Sequence, residues 1–109
     1  MPNQPIPVPK ANAMIEAYFS YMEAHSVDMA KQTQSVSFTG PELLAWMNTV
    51  MPYSDELRIF MGEYLPNDEF AGRTTVILWP YKDGKPARRL GGGDPDDFFQ
   101  PYNVGTLNP

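Results

Sequence analysis

Two segments, 57–65 and 74–81, constrain the fold of this 109-residue chain more than any other feature. Their sequences, "LRIFMGEYL" and "TTVILWPY", are rich in β-branched and aromatic residues, which predicts two strands. Because successive side chains of a strand point to opposite faces, each segment places large apolar residues on both sides. The two strands must therefore be covered on two faces, and a small chain has few elements with which to do so.

The alternation assigns residues to each face of the predicted sheet. If the strands pair, one face carries a single apolar patch formed by Phe60, Tyr64, Ile77 and Trp79. The opposite face is expected to hold the helices, on Leu57, Ile59, Val76 and Leu78. A contiguous exposed apolar patch commonly marks an interface, so the four patch residues are the predicted contact with a protein partner or in a homodimer. In the alternative interpretation, Ile6, Val8 or the Phe98–Tyr102 tail covers the patch within one chain.

The first half of the chain has helical periodicity. Residues 10–24 repeat apolar side chains at helical spacing, on Ala11, Met14, Ile15, Phe19, Tyr18 and Met22. A second helix is predicted over 41–51, with Thr39 as its N-cap and Pro52 as its stop. Residues 35–38 form a candidate short strand between the two helices.

This order predicts an α+β fold, in which two N-terminal helices are packed on a small antiparallel sheet and a loop-rich C-terminal tail follows. Residues 1–9 are expected to be a proline-rich extended arm, and 10–109 a single α+β domain. Asp83-Gly84 signals a hairpin turn. Gly62 suggests a bulge or a close backbone approach, and Pro80 suggests an edge or a position outside the ladder.

Charge and cysteine content exclude several classes of protein. The formal net charge of −5 disfavours binding to nucleic acid and to anionic membranes. The absence of cysteine excludes disulfides, thiolate chemistry and cysteine-based zinc sites. No apolar run approaches the roughly 20 residues of a spanning helix, and no signal peptide is visible, so a soluble cytoplasmic protein is expected. A mature exported chain is the alternative.

The segment "GGGDPDD" at 91–97 resembles a phosphate loop only superficially, since it lacks the lysine and hydroxyl residue that such a loop needs. Asp94 and Pro95 suit the start of a capped helical turn, and Asp96 and Asp97 complement its dipole. The three aspartates also lack calcium-loop spacing. The sequence therefore predicts a turn here and no metal site.

Two further groups of residues carry candidate chemistry. His25 lies one helical turn from Asp28 and allows an acid–base pair, although a surface histidine at a helix end is the simpler interpretation. Five of the eight basic residues fall within 17 positions around Trp79 and Tyr81. They are Arg73, Lys82, Lys85, Arg88 and Arg89. They allow single-stranded nucleic-acid binding by stacking and charge. Local pairing with the aspartates at 94–97 is the competing interpretation, and no nucleic-acid partner is expected.

Three stretches resemble a group of small uncharacterised proteins common in Bacteroidetes-type bacteria. They are "LRIFMGEYL", "GRTTVILWPY" and "PYNVGTLNP", which supply a T-x-V-I strand and a Y-N-x-G tail within residues 35–109. In many of those proteins the tail continues into proline and cysteine, and this sequence has no cysteine. The resemblance implies a shared fold and carries no activity, metal or cofactor.

These observations favour a non-enzymatic module for protein–protein interaction or self-association, with no catalytic residue, cofactor or metal. The alternative is a small enzyme or ligand-binding protein whose pocket lies near Trp79, Tyr81 and Tyr102.

Overall fold

The computed structural model describes residues 3–89, 98–103 and 105–108. Its fold is α+β, with two helices and two small antiparallel sheets. The chain divides into two compact units, one ending at Gln32 and the other spanning Thr33–Asn108. Among the described residues, no helix combines the length and the apolar character required of a membrane span.

The first unit contains helix α1 (Val8–Ala24). It begins two residues earlier than predicted, since Pro7 takes the N-cap position and Pro9 is tolerated in the first turn, so the expected extended arm ends before Val8. No residue of α1 is buried. The apolar stripe predicted from its periodicity includes Met14, Ile15 and Tyr18, all exposed, while Phe19 and Met22 are half-buried.

In the second unit, strand β1 (Ser35–Ser37) precedes helix α2 (Gly40–Val50), which runs into a 3₁₀ turn (Met51–Tyr53). Thr39 is the N-cap as predicted, although its side chain makes no capping hydrogen bond. The buried core joins Val50 of α2 to Ala87 and Phe99, with Trp46 and Met51 packed against them. The strand predicted between the two helices is present as β1. The expectation of two helices on one small sheet is corrected, because the described residues form two separate antiparallel sheets.

The larger sheet has the order β2–β3–β4, formed by strands Glu56–Glu63, Thr74–Lys82 and Lys85–Pro86. The predicted hairpin turn is confirmed, because Asp83 and Gly84 both have positive φ between β3 and β4, as a two-residue turn of this kind requires. Pro80 lies inside the central strand, and the prediction that it marks an edge is wrong. The backbone carbonyl of Pro80 accepts a hydrogen bond from Ala87, so the ladder continues past the proline.

The C-terminal tail was expected to be loop-rich, but its described residues pair with both sheets. Tyr102 exchanges two backbone hydrogen bonds of 2.8 Å with Leu78, so the tail pairs with β3 in addition to β2 and β4. A further strand, β5 (Thr106–Asn108), pairs with β1 in the smaller sheet. The predicted turn at residues 94–97 lies outside the described residues.

Candidate functional site

Strand β2 forms one edge of the larger sheet, and its hydrogen-bonding pattern shows which residues face outwards. The N–H of Tyr64 donates to the carbonyl of Arg73, continuing the β2–β3 register. Bonded pairs alternate along an antiparallel ladder, so even-numbered residues of β2 bond to β3. The N–H and C=O groups of Leu57, Ile59, Met61 and Glu63 therefore point away from the sheet, and we call these four residues the open edge.

Within the described part of the chain, no strand pairs with the open edge. Its two central side chains are exposed, with Ile59 62% and Met61 71% accessible, while Leu57 is half-buried. Ile59 was expected to lie under a helix, and that expectation is wrong. Leu78 on the same face is buried, because Tyr102 and Trp46 lie on the β3 side of the sheet and their rings pack together at 4.7 Å. The face of β2 itself remains uncovered at Ile59 and Met61.

The predicted apolar patch is present on the other face. Phe60 lies directly opposite Ile77, and the rings of Phe60 and Trp79 meet edge to face at 5.8 Å. Phe60 is the most accessible of the four patch residues, at 38%, whereas Tyr64, Ile77 and Trp79 are half-buried. The structure thus places the four residues on one face and leaves Phe60 as the member that a partner can reach most easily.

The tail covers one end of this patch. The amide of Asn103 donates to the carbonyl of Val76 at 2.6 Å and to Oγ1 of Thr75 at 3.1 Å, and Thr75 is buried. The Tyr64 hydroxyl donates to Oδ1 of Asn103 at 3.3 Å. Pro101 and Asn103 line a shallow concavity there together with Tyr64, Thr75 and Ile77. The Phe98–Tyr102 tail that was considered as the alternative cover therefore reaches the Tyr64 end of the patch.

We expect Asn103→Ala to lower the free energy of unfolding by about 2 kcal/mol, because a part-buried acceptor and two side-chain partners lose their hydrogen bonds. Urea unfolding followed by tryptophan fluorescence measures the change, since both tryptophans lie in the second unit. Asn67→Ala in an exposed loop is the matched control and should change stability by less than about 0.5 kcal/mol. Equal effects of the two variants would contradict the prediction.

Charged residues occupy the ends of β2 and leave its centre apolar. Arg58 pairs with Glu56 at 2.7 Å, and its guanidinium lies 4.1 Å from the centre of the Tyr81 ring. Both interactions are within one end of the sheet. The segment from Ile59 to Gly62 carries no charge.

The three rings of the alternative pocket lie on two faces. Tyr102 shares the face of its bonded partner Leu78, where it packs against Trp46 and Phe38. Trp79 and Tyr81 occupy the other face, with ring centres 6.2 Å apart. The sheet itself thus separates Tyr102 from the other two rings.

His25 and Asp28, the candidate acid–base pair, each hydrogen-bond to a nearby backbone group. Nδ1 of His25 donates to the carbonyl of Tyr21 at 2.8 Å, and the His25 and Tyr21 rings are tilted by 32° with their centres 4.3 Å apart. The Asp28 carboxylate accepts the backbone N–H of Ala30. The His25 contact lies at the end of α1, and the Asp28 contact is that of an Asx turn. Within the described ranges no three acidic or histidine side chains cluster so as to hold a metal.

The basic cluster is divided by the fold. Lys82, Lys85 and Arg88 line one concavity with Tyr53, Pro86 and Phe98. Arg73 lies at the other end of β3, beside Tyr64. Asp94, Asp96 and Asp97, with which the cluster was expected to pair, lie outside the described residues.

Sequence reasoning did not find the open edge. Its only signal was the lack of lysine and proline in the middle of β2, residues that commonly protect an edge strand. That signal has no meaning until the strand order is known.

No family model, no curated protein and no solved structure matches the chain. The resemblance to the proteins with a Y-N-x-G tail therefore rests on the quoted residues alone.

Proposed function

We propose that the protein is a non-enzymatic interaction module that self-associates through strand β2. The observation that carries the proposal is the open edge: an eight-residue strand with exposed Ile59 and Met61 and with outward-facing peptide groups. Such an edge is a template for pairing with another strand. A second copy of β2 supplies a strand of matching length, and a two-fold dimer is the commonest form of self-association.

The strand is self-complementary in one register. With a two-fold axis at Phe60, Ile59 lies opposite Met61 of the second copy, and Leu57 lies opposite Glu63 of the second copy. Each of these pairs joins outward-facing residues, so the two strands form about eight backbone hydrogen bonds. Apolar side chains then meet apolar side chains at the centre, while the charged residues stay towards the ends.

This arrangement also uses the predicted patch. The two larger sheets become one continuous sheet, and Phe60 meets Phe60 of the second copy on the face that also carries Ile77 and Trp79. The phenyl ring of Phe60 is buried further by the pairing. Tyr64 lies beyond the end of the strand and contributes at the margin.

The opposite side of the sheet offers no comparable surface. Strand β4 has only two residues and includes Pro86, which has no N–H to donate. Beyond β4, the carbonyl of Ala87 accepts a hydrogen bond from the backbone N–H of Phe99. The outward peptide groups of Leu78 in β3 are bonded to Tyr102. The open edge is therefore the long unpaired edge of this sheet within the described residues.

Pairing of edge strands buries a narrow surface, so we expect a weak dimer with a Kd in the micromolar range. Each copy carries a formal charge of −5, and the resulting repulsion should make association stronger as salt is added. We retain the cytoplasm as the place of action, since a chain without cysteine needs no oxidising compartment to fold.

Sedimentation velocity over a range of about 5 to 500 µM tests the proposal, since such a range spans a micromolar Kd. The expected result is a shift from a 12.3 kDa species to one of twice that mass as concentration rises, with the shift moved to lower concentration in high salt. Trp79→Ala should weaken association, because Trp79 packs on the edge of Phe60. A single 12.3 kDa species at every concentration would overturn self-association.

A further inference from the structure

A concavity of about 390 Å³ lies at the end of the β3–β4 hairpin. Three cationic side chains line it, those of Lys82, Lys85 and Arg88. The rest of the described lining consists of the rings of Tyr53 and Phe98 and of Pro86. This site is separate from the open edge, and its argument does not depend on self-association. The volume falls in the range of about 300 to 1,000 Å³ that small-ligand pockets occupy.

The charge of this concavity is opposite to that of the chain. Three of the eight basic residues line it, although the net charge of the protein is −5. No carboxylate contributes to the described lining. The ion pair between Arg58 and Glu56 lies in β2 and does not involve these three cations. Three cations gathered around one hollow repel each other, and an anion bound between them relieves that repulsion.

Two acidic side chains at the hairpin turn, Asp55 and Asp83, are absent from the described lining. Asp55 accepts the N–H of Asp83 on its carboxylate at 3.1 Å, which ties it to the hairpin turn. Asp83 itself is exposed in that turn and does not line the concavity. The described lining of the hollow thus holds three cations and no carboxylate.

The cations are held by regular backbone structure. Lys82 and Lys85 face each other across the two-residue turn as paired residues of β3 and β4. Arg88 is paired with Phe98 in a backbone bridge, which joins the cationic and aromatic sides of the hollow. A site fixed on paired strands loses less entropy on binding than one on a free loop.

The two rings give the hollow an apolar side. Tyr53 is 39% and Phe98 40% exposed, so each presents a ring to solvent. Tyr53 stacks at 6.1 Å on Phe99, a buried residue of the core, and this contact fixes its position. Exposed rings beside cations are the combination that binds a flat ring and its phosphate together.

We propose that this hollow binds a small organic phosphate that carries a flat ring, with the phosphate between Lys82, Lys85 and Arg88 and the ring against Tyr53 or Phe98. A nucleic-acid strand is disfavoured because a single hollow accommodates about one nucleotide, and the rest of an acidic protein repels the remaining phosphates. The ligand class is therefore a monomeric compound of nucleotide size.

The proposal is tested by titrating the protein with each of three probes, ADP, inorganic pyrophosphate and adenosine, and monitoring its NMR chemical shifts. ADP should bind most tightly, because it alone combines charge and ring, and raising the salt concentration should weaken its binding. Adenosine binding as tightly as ADP would overturn the role of the cations, and pyrophosphate binding as tightly as ADP would overturn the role of the rings. No shift at millimolar ADP would overturn the site.

Substitutions locate the binding. Lys85→Gln and Arg88→Gln should each weaken ADP about tenfold, whereas Lys10→Gln removes the same charge from α1 and should change affinity less than twofold. Phe98→Leu should weaken ADP and leave pyrophosphate unchanged. Equal effects of Lys10→Gln and Lys85→Gln would show a bulk charge effect and overturn the site. A labelled single-stranded oligonucleotide that binds more tightly than ADP would overturn the small-ligand class.

Discussion

Gly105→Ala should destabilise the second unit by about 3 kcal/mol or more, the largest effect that we expect from any single methyl group in this chain. A Cβ at this position would lie 2.5 Å from Cγ1 of Val36 and 2.9 Å from the backbone carbonyl oxygen of Ser37. A side chain can rotate away from a new methyl group, but the carbonyl of a paired strand cannot. The substitution should therefore separate β5 from β1. Urea unfolding followed by tryptophan fluorescence measures the loss.

Two other glycines provide the comparison. A Cβ on Gly40 meets nothing within 4 Å, and this residue opens α2, so Gly40→Ala should be neutral or stabilising by up to about 1 kcal/mol. A Cβ on Gly62 approaches Cδ1 of Ile77 at 3.1 Å, the movable end of a side chain, and Gly62→Ala should cost less than Gly105→Ala. Equal stability of the three variants would contradict the steric explanation.

A second substitution separates one of the three contacts at Gly105 from the other two. Val36→Ala removes the methyl group that crowds the new Cβ but leaves the carbonyl oxygen of Ser37 and Cε1 of Phe38, each 2.9 Å from that Cβ, in place. The double variant Gly105→Ala/Val36→Ala should therefore regain only part of the loss, relative to Val36→Ala alone. Full recovery would show that the side chain, and not the backbone, requires glycine in the Y-N-x-G tail.

The faces of β2 and β3 could be predicted from the sequence because the two-residue period of a strand is a local property. The same holds for the Asp83-Gly84 turn, since positive φ at both positions is a local requirement. The bulge or close backbone approach suggested at Gly62 is not found, since the β2–β3 register continues through Gly62 and the atom nearest to a Cβ there is the side-chain Cδ1 of Ile77. The face assignments and the hairpin turn need no knowledge of which elements are neighbours.

The tail and the open edge could not be predicted, because both depend on pairing between distant segments. Strand β5 has three residues and no apolar alternation, and it exists through its partners at Ser35–Ser37. Tyr102 pairs with a strand only because the backbone N–H and C=O of Leu78 point away from β2 and are available to it. The same choice decides that β3 is central and β2 is an edge, and so exposes Ile59.

The candidate ligand site shows an intermediate case. The sequence placed five basic residues close together, which is a local property, but the fold selects three of them for one hollow. The aromatic side of the hollow comes from Tyr53 and Phe98, which are far from each other in sequence. Charge clustering was therefore predictable, and the combination of charge with rings was not.

Met61→Pro should abolish self-association without unfolding the chain. The N–H of Met61 belongs to the open edge, so proline at this position removes a donor from the proposed dimer and none from the β2–β3 ladder. Proline also favours an extended conformation of the preceding residue, which Phe60 already has. Sedimentation velocity should then show a 12.3 kDa monomer at concentrations where the unsubstituted chain is dimeric, with an unchanged far-UV circular dichroism spectrum.

The neighbouring position gives the opposite result if the hydrogen-bond alternation is right. The N–H of Phe60 points into the sheet towards Ile77, so Phe60→Pro should cost about 3 kcal/mol of stability, as expected when proline removes an internal ladder bond. Ile59→Lys provides an independent test at the open edge, because it places a charge opposite Met61 of the second copy and keeps the backbone intact. Leu44→Lys is the matched control, since Leu44 is 58% exposed and belongs to α2, outside the larger sheet. A dimer that survives both Met61→Pro and Ile59→Lys, or that dissociates equally with Leu44→Lys, would show that copies of this chain do not associate through β2.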